Sequence, residues 1–127
     1  MPLIIHAGDY RYDYSGPQRI LNLHKKHPKL TLIAAHFGGY SEWDESMKHL
    51  VGEDIYFDTS STLEWLPVEK ANAMIKAHGV ERFLFASDFP MWDHEGELER
   101  FNRLDLTEEE RDLIFHKNAE QLLKLGD

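Results

Sequence analysis

Arg82-Phe83-Leu84-Phe85-Ala86-Ser87-Asp88-Phe89-Pro90 is an apolar run of strand length that ends in a carboxylate and is stopped by a proline. Alone it reads as a buried strand with an acid at its tip. Three other stretches are built the same way: Leu3-Ile4-Ile5-His6, Leu30-Thr31-Leu32-Ile33-Ala34-Ala35-His36 and Ile55-Tyr56-Phe57-Asp58. Each finishes in a residue able to bind a metal or move a proton.

Between these runs the pattern turns helical. Pro17 suits a first turn, where its missing N–H costs nothing, and Ile20, Leu21 and Leu23 form an apolar stripe that Pro28 ends. Ser41 is placed to cap a helix running to about Leu50, with Trp43, Met47 and Leu50 on its inner side. Pro67 opens a third helix carrying Val68, Ala71, Met74 and Ile75, and Gly79 terminates it. Past Pro90, Met91 to Gly96 reads as a loop and Leu98 to Arg103 as a short helix. Thr107 and Glu110 form a capping box for a last helix from Glu108 to Leu125, with Leu113, Ile114, Leu122 and Leu125 inward. Its acidic start, Glu108-Glu109-Glu110, fits a solvated first turn favoured by the helix dipole. Strand, loop and helix recur about every 25 to 30 residues, the spacing of βα units in a parallel sheet with right-handed crossovers. The expected fold class is α/β, with four βα units in a single domain over residues 1–127.

Composition narrows the chemistry. A formal charge of −9, with 23 acidic against 14 basic residues, sets the long-range field against a phosphate backbone, so no nucleic-acid partner is expected. No apolar run approaches the roughly 20 residues of a membrane span, and no charged leader precedes an apolar signal segment. A soluble, cytoplasmic protein without a membrane partner is the expectation. Cysteine is absent, so any metal must be held by His, Asp or Glu. Of the eight histidines, His24, His27, His49, His78, His94 and His116 stand in polar or helical contexts and read as surface residues.

Parallel strands in βα repeats place their C-terminal ends on one face, so His6, His36, Asp58 and Asp88 should converge there if all four strands are adjacent. Neutral imidazoles with a carboxylate suit zinc, manganese or iron, and an open coordination position would lower the pKa of a bound water. A single histidine after a strand is more often a hydrogen-bonded turn residue; two of them with a terminal Asp argue for chemistry. Asp58 has two readings, because an Asp before Thr59-Ser60-Ser61 also caps a turn by accepting backbone N–H groups. Tyr40 and Trp92 read as pocket aromatics or as packing, and the tyrosines and arginine of Tyr10 to Tyr14 could line a pocket. Gly38-Gly39 marks a tight turn.

Together these residues resemble the C-terminal half of the metal-dependent amidohydrolase superfamily, in the branch of the aminocarboxymuconate-semialdehyde and resorcylate decarboxylases. Pro2 to Gly8 is similar to that family's fifth strand, His27 to Gly39 to its sixth, Ile55 to Ser60 to its seventh, Phe85 to Pro90 to its eighth, and Lys117 to Leu123 to its closing helix. The resemblance implies half of a TIM (βα)₈ barrel. It implies that His6 is a metal ligand, that Asp88 binds the metal or handles the proton of its water, and that His36 is a catalytic acid/base or polarising group. One divalent ion is expected, zinc first, with manganese or iron as alternatives. The implied activity is hydrolysis of a small molecule by metal-activated water attacking a carbonyl, with decarboxylation of a small carboxylated substrate as the alternative.

The chain departs from the family in having no His-x-His pair, which in the family completes the metal site from the first strand. A (βα)₈ barrel takes around 250 residues, and four strands leave open edges. Homo-oligomerisation, or association with an N-terminal half-barrel, is therefore expected. The rival from another class is a catalytically silent half-barrel scaffold, since two protein ligands hold zinc weakly.

Overall fold

The computed structural model describes residues 1–125. Four parallel strands stand side by side in chain order: β1 (Leu3–Ile5), β2 (Leu32–Ala34), β3 (Tyr56–Asp58) and β4 (Phe83–Leu84). The crossovers carry α1 (Pro17–Lys26), α2 (Trp43–His49) and α3 (Val68–His78). After β4 come α4 (His94–Phe101), α5 (Glu108–Asp112) and α6 (Asn118–Leu123), the last two joined by a wide helical turn over Leu113–Lys117. This is the α/β, parallel βα arrangement that the four apolar runs predict.

The paired segments are shorter than those runs because other groups take over the backbone partners at the strand ends. Ala35 N–H still donates to Ile5 O and Thr59 N–H to Leu84 O. Beyond Leu84, Phe85 N–H turns to Ile114 O in the closing helical segment, and Ala86 N–H to the Thr59 hydroxyl. Asn118, buried, donates to the carbonyls of Val80 and Phe83. The closing segment therefore partners the chain where it leaves β4.

Ile5, Ala34, Phe57 and Phe83 lie in one cross-strand row, and alternation along each strand aims this row at the helices. Phe57 and Phe83 meet edge to face at 5.5 Å, and Phe37 packs on Phe83 at 4.9 Å. Ile20, Ala71, Met74 and Ile75 cover them, as the helical stripes require. On β1, by contrast, Leu3 is 41% and Ile4 65% exposed, so that edge strand offers apolar surface to solvent.

Several local expectations are corrected. Ser41 does not cap α2: its φ is +58°, its hydroxyl donates to Tyr40 O, and the helix starts after Glu42. Met47 is exposed while Leu50 is buried, since a helix this short turns only one narrow stripe inward. α4 begins four residues earlier than Leu98, because Asp93 accepts from Gly96 N–H and caps it. The Thr107–Glu110 capping box is present, but the last helix is interrupted by the wide turn and ends at Leu123, leaving Leu125 exposed. Among the described residues no helix is long and apolar enough to cross a membrane.

His78 is the largest correction, being 1% exposed rather than on the surface. Its ring stacks on Phe57 at 4.1 Å and 10°. Nδ1 accepts from Gly52 N–H and Nε2–H donates to Ile55 O, so the neutral ring is fully partnered. Burial holds its pKa down to about 4, against the ordinary 6.5. Between those values the unfolded chain binds a proton that the folded chain refuses, so stability is complete above pH 6.5 and is lost as the pH falls toward 4. Urea denaturation across that interval should lose roughly 3 kcal/mol. His78→Leu should flatten this slope and cost about 1–3 kcal/mol at neutral pH, because Gly52 N–H and Ile55 C=O lose their partners.

Candidate active site

The carboxyl ends of the strands form one face, and the backbone there is unusual. His36 and Phe37 have φ of +60° and +53°, and Asp88 has +62°. Bulky residues in the left-handed region cost of order 1–3 kcal/mol each and persist only where surroundings fix them. Phe37 is fixed by complete burial against Phe83. Gly38 is needed beside it: a Cβ there would stand 2.6 Å from Ser46 Oγ and 2.7 Å from the Phe57 ring.

The turn brings His36 against His6, with Nε2 of the first 3.0 Å from Nδ1 of the second. Behind His36 lies Asp58. Its Oδ1 accepts from His36 N–H at 2.9 Å, Ser60 N–H at 3.0 Å and the Ser60 hydroxyl at 2.6 Å. Ser60 Oγ and Ser60 O are in turn 2.9 Å and 3.1 Å from His36 Nδ1. Asp58 thus does cap a turn, and through the same oxygen reaches the histidine pair. Asp88 stands across the site, its Oδ2 accepting from Ser61 Oγ at 2.8 Å, and Ser61 accepts from Trp92 Nε1 at 2.9 Å.

A cavity of about 410 Å³ opens over His6, His36, Ser61 and Asp88. Tyr40, Trp65 and Trp92 wall it, each ring meeting the next edge to face. Asp9 and Arg11 form the rim; two hydrogen bonds from the Arg11 side chain and one from its backbone hold the Asp9 carboxyl down to about 2. Arg11 is therefore already charge-paired. Asp58 is not part of the cavity lining.

Of the predicted residues, the structure brings His6, His36 and Asp88 to one cavity and sets Asp58 one layer behind. Tyr40 and Trp92 are pocket walls. Sequence reasoning passed over Ser60, Ser61 and Trp65. The signal for the serines was their position directly after a strand-terminal Asp; Trp65 carried none beyond being an aromatic in a strand-to-helix loop.

Donor chemistry tests the expected metal. Nothing among the described residues bonds His6 Nε2, and the exposed Asp88 carboxylate lines the same cavity. Those are two suitable donors. No group of three His, Asp or Glu side chains able to hold an ion occurs among the described residues, whereas catalytic zinc takes three protein ligands. The described residues thus offer two candidate donors and do not by themselves make a metal centre.

Comparison with known proteins fits this geometry. The amidohydrolase family model matches residues 1–125. The chain belongs to the amidohydrolase family. Over 97 residues it is 29% identical to the decarboxylase orsB of Emericella nidulans, covering 73% of this chain and 28% of that protein. It superposes with a TM-score of 0.66 and 23% identity on a dihydroxybenzoic acid decarboxylase from Polaromonas sp. JS666 with bound manganese and the inhibitor 2-nitroresorcinol, covering 86% of this chain and 39% of that one. An uncharacterised TIM-barrel protein from Bordetella bronchiseptica gives 0.70 at 22% identity, covering 98% and 46%. The amidohydrolase-family chain therefore has the TIM-barrel strand arrangement and spans less than half the length of these relatives.

Because Gly38 stands at φ +78° and against Phe57, Gly38→Ala should be costly. Gly52, at φ +91° with open space around it, is the control. Chemical denaturation should show about 1 kcal/mol lost for Gly52→Ala and roughly 2 kcal/mol more for Gly38→Ala.

Proposed function

We propose that the chain provides the proton-handling and part of the metal-binding side of an amidohydrolase-family decarboxylase acting on a flat, carboxylated small molecule. The observation that carries this reading is the aromatic wall of Tyr40, Trp65 and Trp92 lining the same cavity as His6, His36 and Asp88. Aromatic walls stack on planar unsaturated rings and give little to an extended peptide-like amide. The decarboxylase names borne by the Emericella and Polaromonas relatives support the same reading. The C–C bond to the carboxyl group breaks, its electron pair stays on the ring carbon, and that carbon takes up a proton. Asp88 is the group on the cavity wall placed to deliver it, and His36 acts as the polarising group through its 3.0 Å contact with His6.

His6 Nε2 and Asp88 are the chain's donors to a divalent ion, completed by ligands from outside the described residues. Such an ion would polarise the substrate's oxygens. Zinc remains the sequence-based expectation, and the manganese of the Polaromonas protein supports that metal equally. Hydrolysis is the second reading, favoured by one observation: Asp88 is an exposed carboxylate with Ser61 as its partner, able to take a proton from water.

The exposed Leu3 and Ile4 on edge strand β1 support association, either with a second copy or with an N-terminal half-barrel. Sedimentation of the chain should give a mass above that of the 14.9 kDa monomer, and a strictly monomeric chain would remove the oligomer reading.

Activity is tested by carbon dioxide release from hydroxybenzoates beside ester and amide cleavage, with manganese or zinc supplied. The expected result is carbon dioxide release that Asp88→Ala and His36→Ala each lower by about 10²–10⁴-fold. Cleavage without carbon dioxide release would favour the hydrolase. Metal retained at or near one per chain and lost in His6→Ala supports the ligand assignment; absence of both metal and turnover would leave the scaffold reading.

A further inference from the structure

We infer that Asp58 and Ser60 are positioning residues that fix the tautomers of His36 and His6, so that His6 presents a bare Nε2 to the cavity. The inference deepens the proposed role of His6 as a ligand and rests on that role for its purpose. The proton order itself follows from the hydrogen-bond partners alone.

The order starts at a group that cannot donate. Asp58 Oδ1 receives His36 N–H, Ser60 N–H and, at 2.6 Å, the Ser60 hydroxyl. Ser60 has one hydroxyl proton, and this contact uses it. Toward His36 Nδ1, 2.9 Å away, the Ser60 oxygen is left only as an acceptor. The second oxygen facing Nδ1, the Ser60 carbonyl at 3.1 Å, accepts by nature. Nδ1 must therefore carry the hydrogen, and in a neutral ring Nε2 is then a lone pair.

That lone pair faces His6 Nδ1 at 3.0 Å. Two lone pairs at this distance would repel, so His6 Nδ1 carries the hydrogen and donates it. His6 Nε2 is left unprotonated, which is the form a metal ion or a proton requires. Without Asp58, the Ser60 hydroxyl could turn and donate to His36 Nδ1. His36 would then take the opposite tautomer, His6 Nδ1 would become the acceptor, and His6 Nε2 would hold a hydrogen. A carboxylate outside the cavity lining thereby sets the chemical form of a nitrogen inside it.

The test reads tautomers directly and needs no turnover. Two-bond proton–nitrogen correlation spectra of the chelator-treated chain at pH 8, above the ordinary imidazole range, should show His36 and His6 both protonated at Nδ1. Asp58→Ala should raise the Nε2–H form of His36 by about fivefold, the equivalent of one ordinary hydrogen bond. Asp58→Asn, which keeps an acceptor oxygen, should restore the wild-type spectrum. Adding Ser60→Ala to Asp58→Ala should also restore it, because no hydroxyl remains to compete with the carbonyl. Nε2–H on His36 in the unaltered chain would overturn the inference, as would an Asp58→Ala spectrum identical to wild type. If Asp58→Ala does not fold, the spectrum of the unaltered chain still decides the proton order. The decarboxylase reading can fail with this order intact, since carbon dioxide release is not among the readouts.

Discussion

The Asp58 carboxylate joins two strand ends that have run out of partners. Where β2 stops, the chain turns into the left-handed region at His36, and the His36 N–H can no longer find a sheet carbonyl. Asp58, the last residue of β3, accepts that N–H and also closes its own turn through Ser60. Hydrogen bonds to a charged acceptor contribute about 1.5–3 kcal/mol each, enough to offset the strain of a left-handed His36 and Phe37. From there the constraint runs inward. Phe37 is buried against Phe83, Gly38 lies on the Phe57 ring, and Phe57 stacks on His78. The reactive face and the core are thus one continuous packing arrangement.

That continuity explains why the site is rigid on one side and open on the other. His36 is pinned through both its backbone and its ring, whereas His6 is exposed just past the edge strand and Asp88 sits on a loop with one side-chain partner. The two donors suited to a metal are therefore the two least constrained members of the set. Metal ligands are ordinarily oriented by a second layer of hydrogen bonds. Here that layer exists for His6, through His36, and is slight for Asp88. An edge strand with apolar surface and a face with only two candidate metal donors are the same open side seen in packing and in chemistry.

The sequence carried the four strands, and with the family resemblance their order and the convergence of His6, His36 and Asp88. Unbroken apolar runs mark buried parallel strands, and parallel βα topology leaves no choice about which ends share a face. What it did not carry depends on contacts between distant segments. Ser41 has the right side chain for a helix cap and spends it on Tyr40, in a turn shaped by the approach of Gly8. His78 lies on a helix that reads as amphipathic, and only the stack on Phe57 with the Gly52 N–H and Ile55 C=O as partners makes a buried imidazole favourable. The wide turn at Leu113–Lys117, which gives β4 its last partner, answers to an edge that no local pattern announces.

Asp58 shows why a choice between a structural and a functional reading can be a false one. An Asp before two serines caps a turn, and the structure has that cap. The cap consumes the only proton that Ser60 could offer, and a serine stripped of its donor role can only receive one from His36. The turn-capping hydrogen bond and the orientation of the histidine pair are then consequences of one oxygen and one proton count. In sequence Asp58 is marked only as a strand-terminal carboxylate before two serines, and its side chain does not line the cavity. Its effect is legible only when each donor from Ser60 to His6 is assigned its acceptor, at which point a lone pair on His6 Nε2 follows for neutral rings.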